Sequence, residues 1–127
     1  MEDNGWTGVD LDGTLAHYDE WKGVGVIGEP VRAMQVRVMR WLAEGRDIRI
    51  VTARVSGDHA MIEETSIKRW CQEHLGRELP VTCCKDYMMR ELYDDRAVTV
   101  ERNTGKILTQ GREESDSIGA FLTGDAL

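Results

Sequence analysis

Cationic residues are in short supply: 16 lysines and arginines stand against 23 aspartates and glutamates, a net charge of −7 with the histidines neutral. That balance excludes a surface built to grip a phosphate backbone, so a nucleic-acid partner would have to be held locally or through a metal. Cysteine is also sparse. Cys71, Cys83 and Cys84 form an odd set with two members adjacent, a poor disulfide framework, and no further ligands stand around them at metal-binding spacing. A reducing, cytoplasmic compartment is expected, with the thiols as small core residues. No apolar run approaches the roughly 20 residues of a membrane span. The acidic start Met1-Glu2-Asp3-Asn4 is unlike a signal peptide. No G-x-x-x-x-G-K-[ST] string occurs, which excludes a P-loop nucleotide site. What is present, 41% hydrophobic and 31% charged residues over 127 positions, describes an ordinary globular domain with chain enough for a core.

Apolar periodicity divides that chain into alternating strands and helices. Trp6 to Leu11 reads as a short buried strand with acidic residues at its end. A polar, aromatic and glycine-bearing connection follows from Ala16 to Gly28, longer than an ordinary βα loop and too short for a domain. Its Gly23-Val24-Gly25-Val26-Ile27-Gly28 matches the dinucleotide pattern G-x-G-x-x-G. That pattern needs a strand running into its first glycine, and His17-Tyr18-Asp19-Glu20-Trp21-Lys22 stands there instead, so a flap or hairpin is expected. Pro30 suits the first turn of a helix with Glu29 at its positive end. Val31, Met34, Val38, Trp41 and Leu42 form one apolar stripe, which Gly45 stops. Asp47 to Val51 is the second strand. A turn at Ser56-Gly57-Asp58 opens a second helix from about His59 to Leu75, closed by Gly76, with Met61, Ile67, Trp70, Cys71 and His74 or Leu75 inward. Pro80 to Cys84 and Glu91 to Asp95 are the third and fourth strands, and Ala97 to Val100 is a further candidate. Residues 111–127 read as a polar, loose tail.

This alternation predicts an α/β three-layer sandwich, a mostly parallel sheet covered by helices, with ligands bound at the carboxyl ends of the strands. The polar groups of interest all end strands: Asp10 and Asp12 the first, Thr52 and Arg54 the second, Lys85 the third, Asp94 and Asp95 the fourth.

Asp10 and Asp12 lie within Gly8-Val9-Asp10-Leu11-Asp12-Gly13-Thr14-Leu15. Two carboxylates so close repel and raise each other's pKa, so such a pair is kept for a cation or for chemistry. Gly13 permits a turn that a side chain would obstruct, and Thr14 adds a hydroxyl at the same rim. An EF-hand is excluded, because the sixth and twelfth positions counted from Asp10 are Leu15 and Trp21. Hydrolysis of a phosphate monoester needs a nucleophile, an acid–base group, a cation and donors for the phosphoryl oxygens. The converging residues supply these types without saying which carboxylate attacks. Thr52 alone would read as a strand-end cap, but within this set it is favoured as a phosphoryl donor, while Arg54 stands evenly between a bidentate phosphate contact and a surface residue. Lys85 competes with Lys68, which sits mid-helix beside Arg69 on a solvated stretch.

The octet resembles the first motif, Asp-x-Asp-Gly-Thr, of the haloacid dehalogenase (HAD) superfamily of magnesium-dependent phosphohydrolases. Thr52 after Ile48-Arg49-Ile50-Val51 resembles the second motif, Lys85 the third, and Leu92-Tyr93-Asp94-Asp95-Arg96-Ala97 the acidic fourth. The likeness runs from Val9 to Gly105. It is greatest to small capless members of phage and bacterial type, which share the Ile27-Gly28-Glu29-Pro30-Val31 helix start and the Asp94-Asp95-Arg96-Ala97-Val98 ending. The resemblance implies a HAD-like Rossmannoid catalytic domain over residues 1–110, with a flap at 16–28 and no cap. It assigns Asp10 as the nucleophile of an aspartyl-phosphate pathway and Asp12 as acid and base. Thr52, Arg54 and Gly13 fall at the phosphoryl group, and Lys85 steadies nucleophile and phosphate. Mg²⁺ would be held by Asp10, by Asp12 through its backbone carbonyl, and by Asp94 as the favoured direct ligand, with Asp95 bound through water or standing behind it.

A capless site is open. It admits large or polymer-end substrates past His17, Tyr18 and Trp21, or borrows a wall from a second subunit in a homo-oligomer. The expected activity is therefore an Mg²⁺-dependent phosphomonoesterase without membrane partners. A nucleotide or nucleic-acid-end phosphate is the favoured substrate because aromatic flap residues can stack on a base; a small sugar phosphate is the other option. The rival reading is a non-catalytic domain that binds a metal and a phospho-ligand. A phosphotransferase or phosphonatase comes third, the latter lacking a cap to carry its lysine.

Overall fold

The structure is a computed structural model and describes residues 4–108; the tail expected at 111–127 lies outside the described residues. The chain divides into two units, Met1–Asp95 and Arg96–Leu127. In the first, β1 (Trp6–Asp10), β2 (Ile48–Val51), β3 (Val81–Thr82) and β4 (Met89–Tyr93) form an all-parallel sheet in the order β3-β2-β1-β4. Helix α1 (Arg32–Ala43) joins β1 to β2, and helix α2 (Ala60–Leu75) joins β2 to β3.

The sheet's helix-covered face carries Val9, Ile48 and Ile50, which share one core with Met34, Val38, Trp41 and Leu42 of α1 and Ile67, Trp70, Cys71 and Leu75 of α2. The α1 stripe is thus as the 3–4 spacing predicts, apart from Val31. The helix itself starts later than expected, at Arg32. Pro30 is held instead in an antiparallel bridge with Ala16; the Val31 amide donates to Leu15 and the His17 amide to the Glu29 carbonyl. Backbone pairing at the base of the flap therefore takes up the groups that would open the first helical turn, and Glu29 does not serve the helix dipole. The C-terminal end follows the expectation, with Gly45 at φ +84°, a left-handed conformation that favours glycine.

Helix α2 departs from its reading at two positions. Met61 is 84% exposed, and the buried stripe begins at Glu63, only 2% exposed, then runs through Ile67, Trp70, Cys71 and Leu75. Gly76 closes it in the left-handed region.

The third layer of the expected sandwich is not formed by helices among the described residues. Trp6, Gly8 and Asp10 face away from the core as alternate residues of β1. On that side residues 83–88 alone carry the chain from β3 to β4, too few for a packed crossover helix. The Asp86 carboxylate accepts from the Trp6 indole at 2.8 Å, and the Trp6 amide donates to the Met88 carbonyl at 3.0 Å.

The second unit, taken by itself, holds a bridge between Val100 and Ile107, with the Glu101 amide donating to Lys106 and the Leu108 amide to Thr99. The strand expected at Ala97–Val100 is reduced to that bridge.

Candidate active site

Strand order places the candidate residues. β1 lies between β2 and β4, and the chain runs from β1 one way to β2 and β3 before returning to β4 on the other side. The gap beyond β1 and β4 is therefore the topological switch point, where ligands of parallel sheets bind. Asp10 is the last residue of β1, and Asp94 and Asp95 directly follow β4.

The three meet there. One carboxylate oxygen from each of Asp10, Asp94 and Asp95 lies within 4.8 Å of the others. The Asp10 carboxyl is pushed up from 3.8 to about 7. Burial of its half-covered side chain is the largest cause, then the hydrogen bond with Asp95, then the negative charge of Asp94 and Asp95; the Leu11 amide pulls the other way. Thr14 organises the cluster. Its hydroxyl donates to Asp95 Oδ1 at 2.9 Å, approaches Asp10 Oδ2 at 3.4 Å, and accepts the Asp95 amide at 3.0 Å.

Gly13 sits at φ +90° beneath this contact, and a Cβ there would fall 2.7 Å from Asp95 Oδ2. Its amide donates to Ala16 at 2.8 Å. The resemblance places Gly13 at the phosphoryl group; here its N–H is committed to the turn, and the residue leaves room for Asp95.

Asp12 points elsewhere. Arg54 grips it side-on, Nε to Oδ2 at 2.7 Å and Nη2 to Oδ1 at 3.0 Å. The same guanidinium donates from Nη2 to the Val26 carbonyl at 2.8 Å and from Nη1 to Glu63 Oε1 at 3.1 Å, and it packs 4.9 Å from the Trp21 ring centroid. Four of the five guanidinium N–H groups are spent on the protein itself. The sequence leaves Arg54 open between phosphate contact and surface residue; the structure makes it a buried clamp, with a side chain 5% exposed.

Thr52 is buried at the end of β2, where its hydroxyl accepts the Arg54 amide at 3.1 Å and caps a 3₁₀ turn, Ala53–Val55. Its own O–H has no acceptor among the described residues. Lys85 is exposed within the 83–88 segment, and no hydrogen bond or ion pair joins it to Asp10, Asp94 or Asp95. Lys68 is paired to Glu64 on α2, as a solvated helix surface predicts.

Comparison with protein-family models, curated proteins and solved structures gives no match.

Beside Arg54 a cavity of about 360 Å³ opens against the flap, lined by His17, Tyr18, Lys22, Val26, Glu29 and Arg54 among others. Gly23 and Gly25 have positive φ, and the Val26 amide closes a turn onto Gly23, in keeping with a flap rather than a dinucleotide loop.

The donor set of the acidic cluster suits a hard divalent cation. It offers oxygens only, and an octahedral shell of radius about 2.1 Å spaces its oxygens by roughly 3–4 Å. A cation there would oppose the burial, the Asp95 hydrogen bond and the neighbouring charges that together push the Asp10 carboxyl up to about 7. Two contributors were not assigned from sequence. Thr14 registered only as a rim hydroxyl, because its partner Asp95 is 81 residues away. Glu63 carried a local signal, standing four residues before Ile67 on the inward stripe, but its charge masked its burial.

Proposed function

We propose that this chain is a magnesium-dependent phosphomonoesterase of the haloacid dehalogenase type, working through an aspartyl-phosphate on Asp10. The observation that carries the reading is the meeting of Asp10, Asp94 and Asp95 at the switch point of the sheet, with Asp12 in the turn that follows Asp10. A lone acidic turn has no reason to recruit residues more than 80 positions apart.

In this reading Asp10, Asp94 and Asp95 hold Mg²⁺, with the Asp12 backbone carbonyl as a further oxygen. The ion supplies the positive charge that lets a carboxylate approach a phosphate dianion. One Asp10 oxygen attacks phosphorus as the bond from phosphorus to the leaving alcohol oxygen breaks. Asp12 gives that oxygen a proton. It then takes one from the water that attacks the aspartyl-phosphate, releasing inorganic phosphate and restoring both carboxyl groups. Each Asp12 oxygen accepts one bond from Arg54 and keeps a second lone pair for the transferred proton. The unaccepted O–H of Thr52 donates to a phosphoryl oxygen. The exposed Tyr18 and Trp21 favour a nucleotide or nucleic-acid-end phosphate, whose base stacks on the flap.

One observation favours the rival, a domain that binds metal and phospho-ligand without turnover: Lys85, the expected third-motif cation, is exposed and among the described residues forms no hydrogen bond or ion pair with the acidic cluster. Hydrolysis of p-nitrophenyl phosphate decides. Turnover that requires Mg²⁺ and falls to background in Asp10→Asn supports the phosphatase. Phosphate binding with no turnover of any phosphoester selects the rival.

A further inference from the structure

We propose that Glu63 is a positioning residue, which acts through Arg54 to hold the Asp12 carboxylate in its acid–base orientation and to fasten the flap beside it. The proposal rests on the phosphatase reading above, and its ground is the geometry of one buried carboxylate.

Glu63 lies in the first turn of α2, 2% exposed, on the stripe that otherwise holds Ile67, Trp70 and Cys71. A carboxylate at such a position is costly to bury unless it is paired and hydrogen-bonded. It is both. Oε1 accepts Arg54 Nη1 at 3.1 Å and the backbone amide of Gly25, in the flap, also at 3.1 Å. Glu63 thus touches the flap and the clamp, and it touches neither the acidic cluster nor Asp12.

Arg54 completes the connection. A guanidinium is a rigid planar fork, so fixing one nitrogen fixes the directions of the others. With Nη1 tied to Glu63, Nε and Nη2 are aimed at the two Asp12 oxygens, and the second Nη2 hydrogen reaches the Val26 carbonyl. Without Glu63 the fork has one carboxylate partner, whose side chain is 20% exposed, and nothing on the helix side to set its angle. A larger residue at Gly25 would be strained by its φ of +76°, and its Cβ would come 3.0 Å from the Ser66 hydroxyl. The flap therefore comes close to α2 at the level where Glu63 waits for its amide. One Glu63 oxygen thus holds both the flap, through Gly25, and the Asp12 orientation, through Arg54.

The test separates positioning from bulk stability by the leaving group. Phosphoryl transfer from an alkyl phosphate needs a proton from Asp12, whereas p-nitrophenolate leaves without one. In Glu63→Met, kcat/KM for glycerol phosphate is expected to fall by about 10-fold to 100-fold, the cost of a misplaced catalytic group. The value for p-nitrophenyl phosphate should stay within about threefold, and hydrogen exchange at the Gly25 amide should quicken. Glu63→Gln keeps an oxygen acceptor for both donors and should recover part of the loss; it also serves if the methionine variant does not fold. Equal losses on both substrates, or no loss on either, would overturn the proposal while the phosphatase stands. Absence of turnover in the unaltered protein would remove the phosphatase reading and the role of Glu63 with it.

Discussion

Replacing Asp10 by asparagine removes an ionisation that burial first, and the acidic neighbours second, make difficult, and its effect on stability has a definite sign. The folded Asp10 carboxyl titrates at about 7 against an ordinary 3.8. A carboxyl that is harder to ionise when folded favours the native state while it is protonated. Its contribution is complete below pH about 4 and disappears as the pH climbs through 7. At 1.36 kcal/mol per unit, the span sets a ceiling of roughly 4 kcal/mol. Partial exposure of the side chain and relaxation around it reduce the expectation to about 2–3 kcal/mol. Urea unfolding of the protein and of Asp10→Asn, both in EDTA at pH 4.5, 6 and 8, isolates the effect, because every other titrating group is common to the two. The stability difference should move toward the asparagine variant by that amount between pH 4.5 and 8. Adding Mg²⁺ should stabilise the unaltered protein at pH 8 far more than at pH 5, since protons and the cation compete for the same oxygens. Parallel pH profiles for the two proteins would show that Asp10 feels neither the burial nor the Asp94 and Asp95 neighbours that the structure gives it, and the reasoning would fail.

Two other substitutions probe the same frame. Gly13→Ala should cost about 1–2 kcal/mol from its positive φ alone. It should also weaken the Mg²⁺-induced rise in melting temperature, because the new Cβ would stand 2.7 Å from an Asp95 oxygen. Met61→Lys should change stability by no more than about 0.5 kcal/mol in chemical denaturation, since that side chain is 84% exposed; a loss near 2 kcal/mol would return Met61 to the core.

The alternation of strands and helices was legible because apolar spacing records which faces are buried, and the α1 stripe and the strand-end acids follow directly from it. Met61 and Glu63 mark where that record misleads. Hydrophobicity stands in for burial until a buried charge finds partners, and those of Glu63 lie in the flap and at Arg54, outside its own helix. The late start of α1 has a similar origin, since Pro30 and Val31 answer to Ala16 and Leu15 rather than to the helix after them. Asp12 and Arg54 each stood out as strand-end groups, but their pairing spans 42 residues and carries no local pattern. The helical third layer was expected from alternation alone, which does not register that six residues between β3 and β4 are too few to build it.

Those six residues have a mechanical consequence. From Thr82, level with Asp10, to Met89, level with Trp6, the path crosses three strand spacings and descends four residues, a diagonal of roughly 20 Å. Seven Cα steps reach at most about 24 Å. The tether is short, and it ends in a turn that the Met89 amide closes on the Asp86 carbonyl at 3.1 Å, so β4 sliding along β1 by a residue pair would first have to open that turn; the height at which Asp94 and Asp95 arrive beside Asp10 is tied to it.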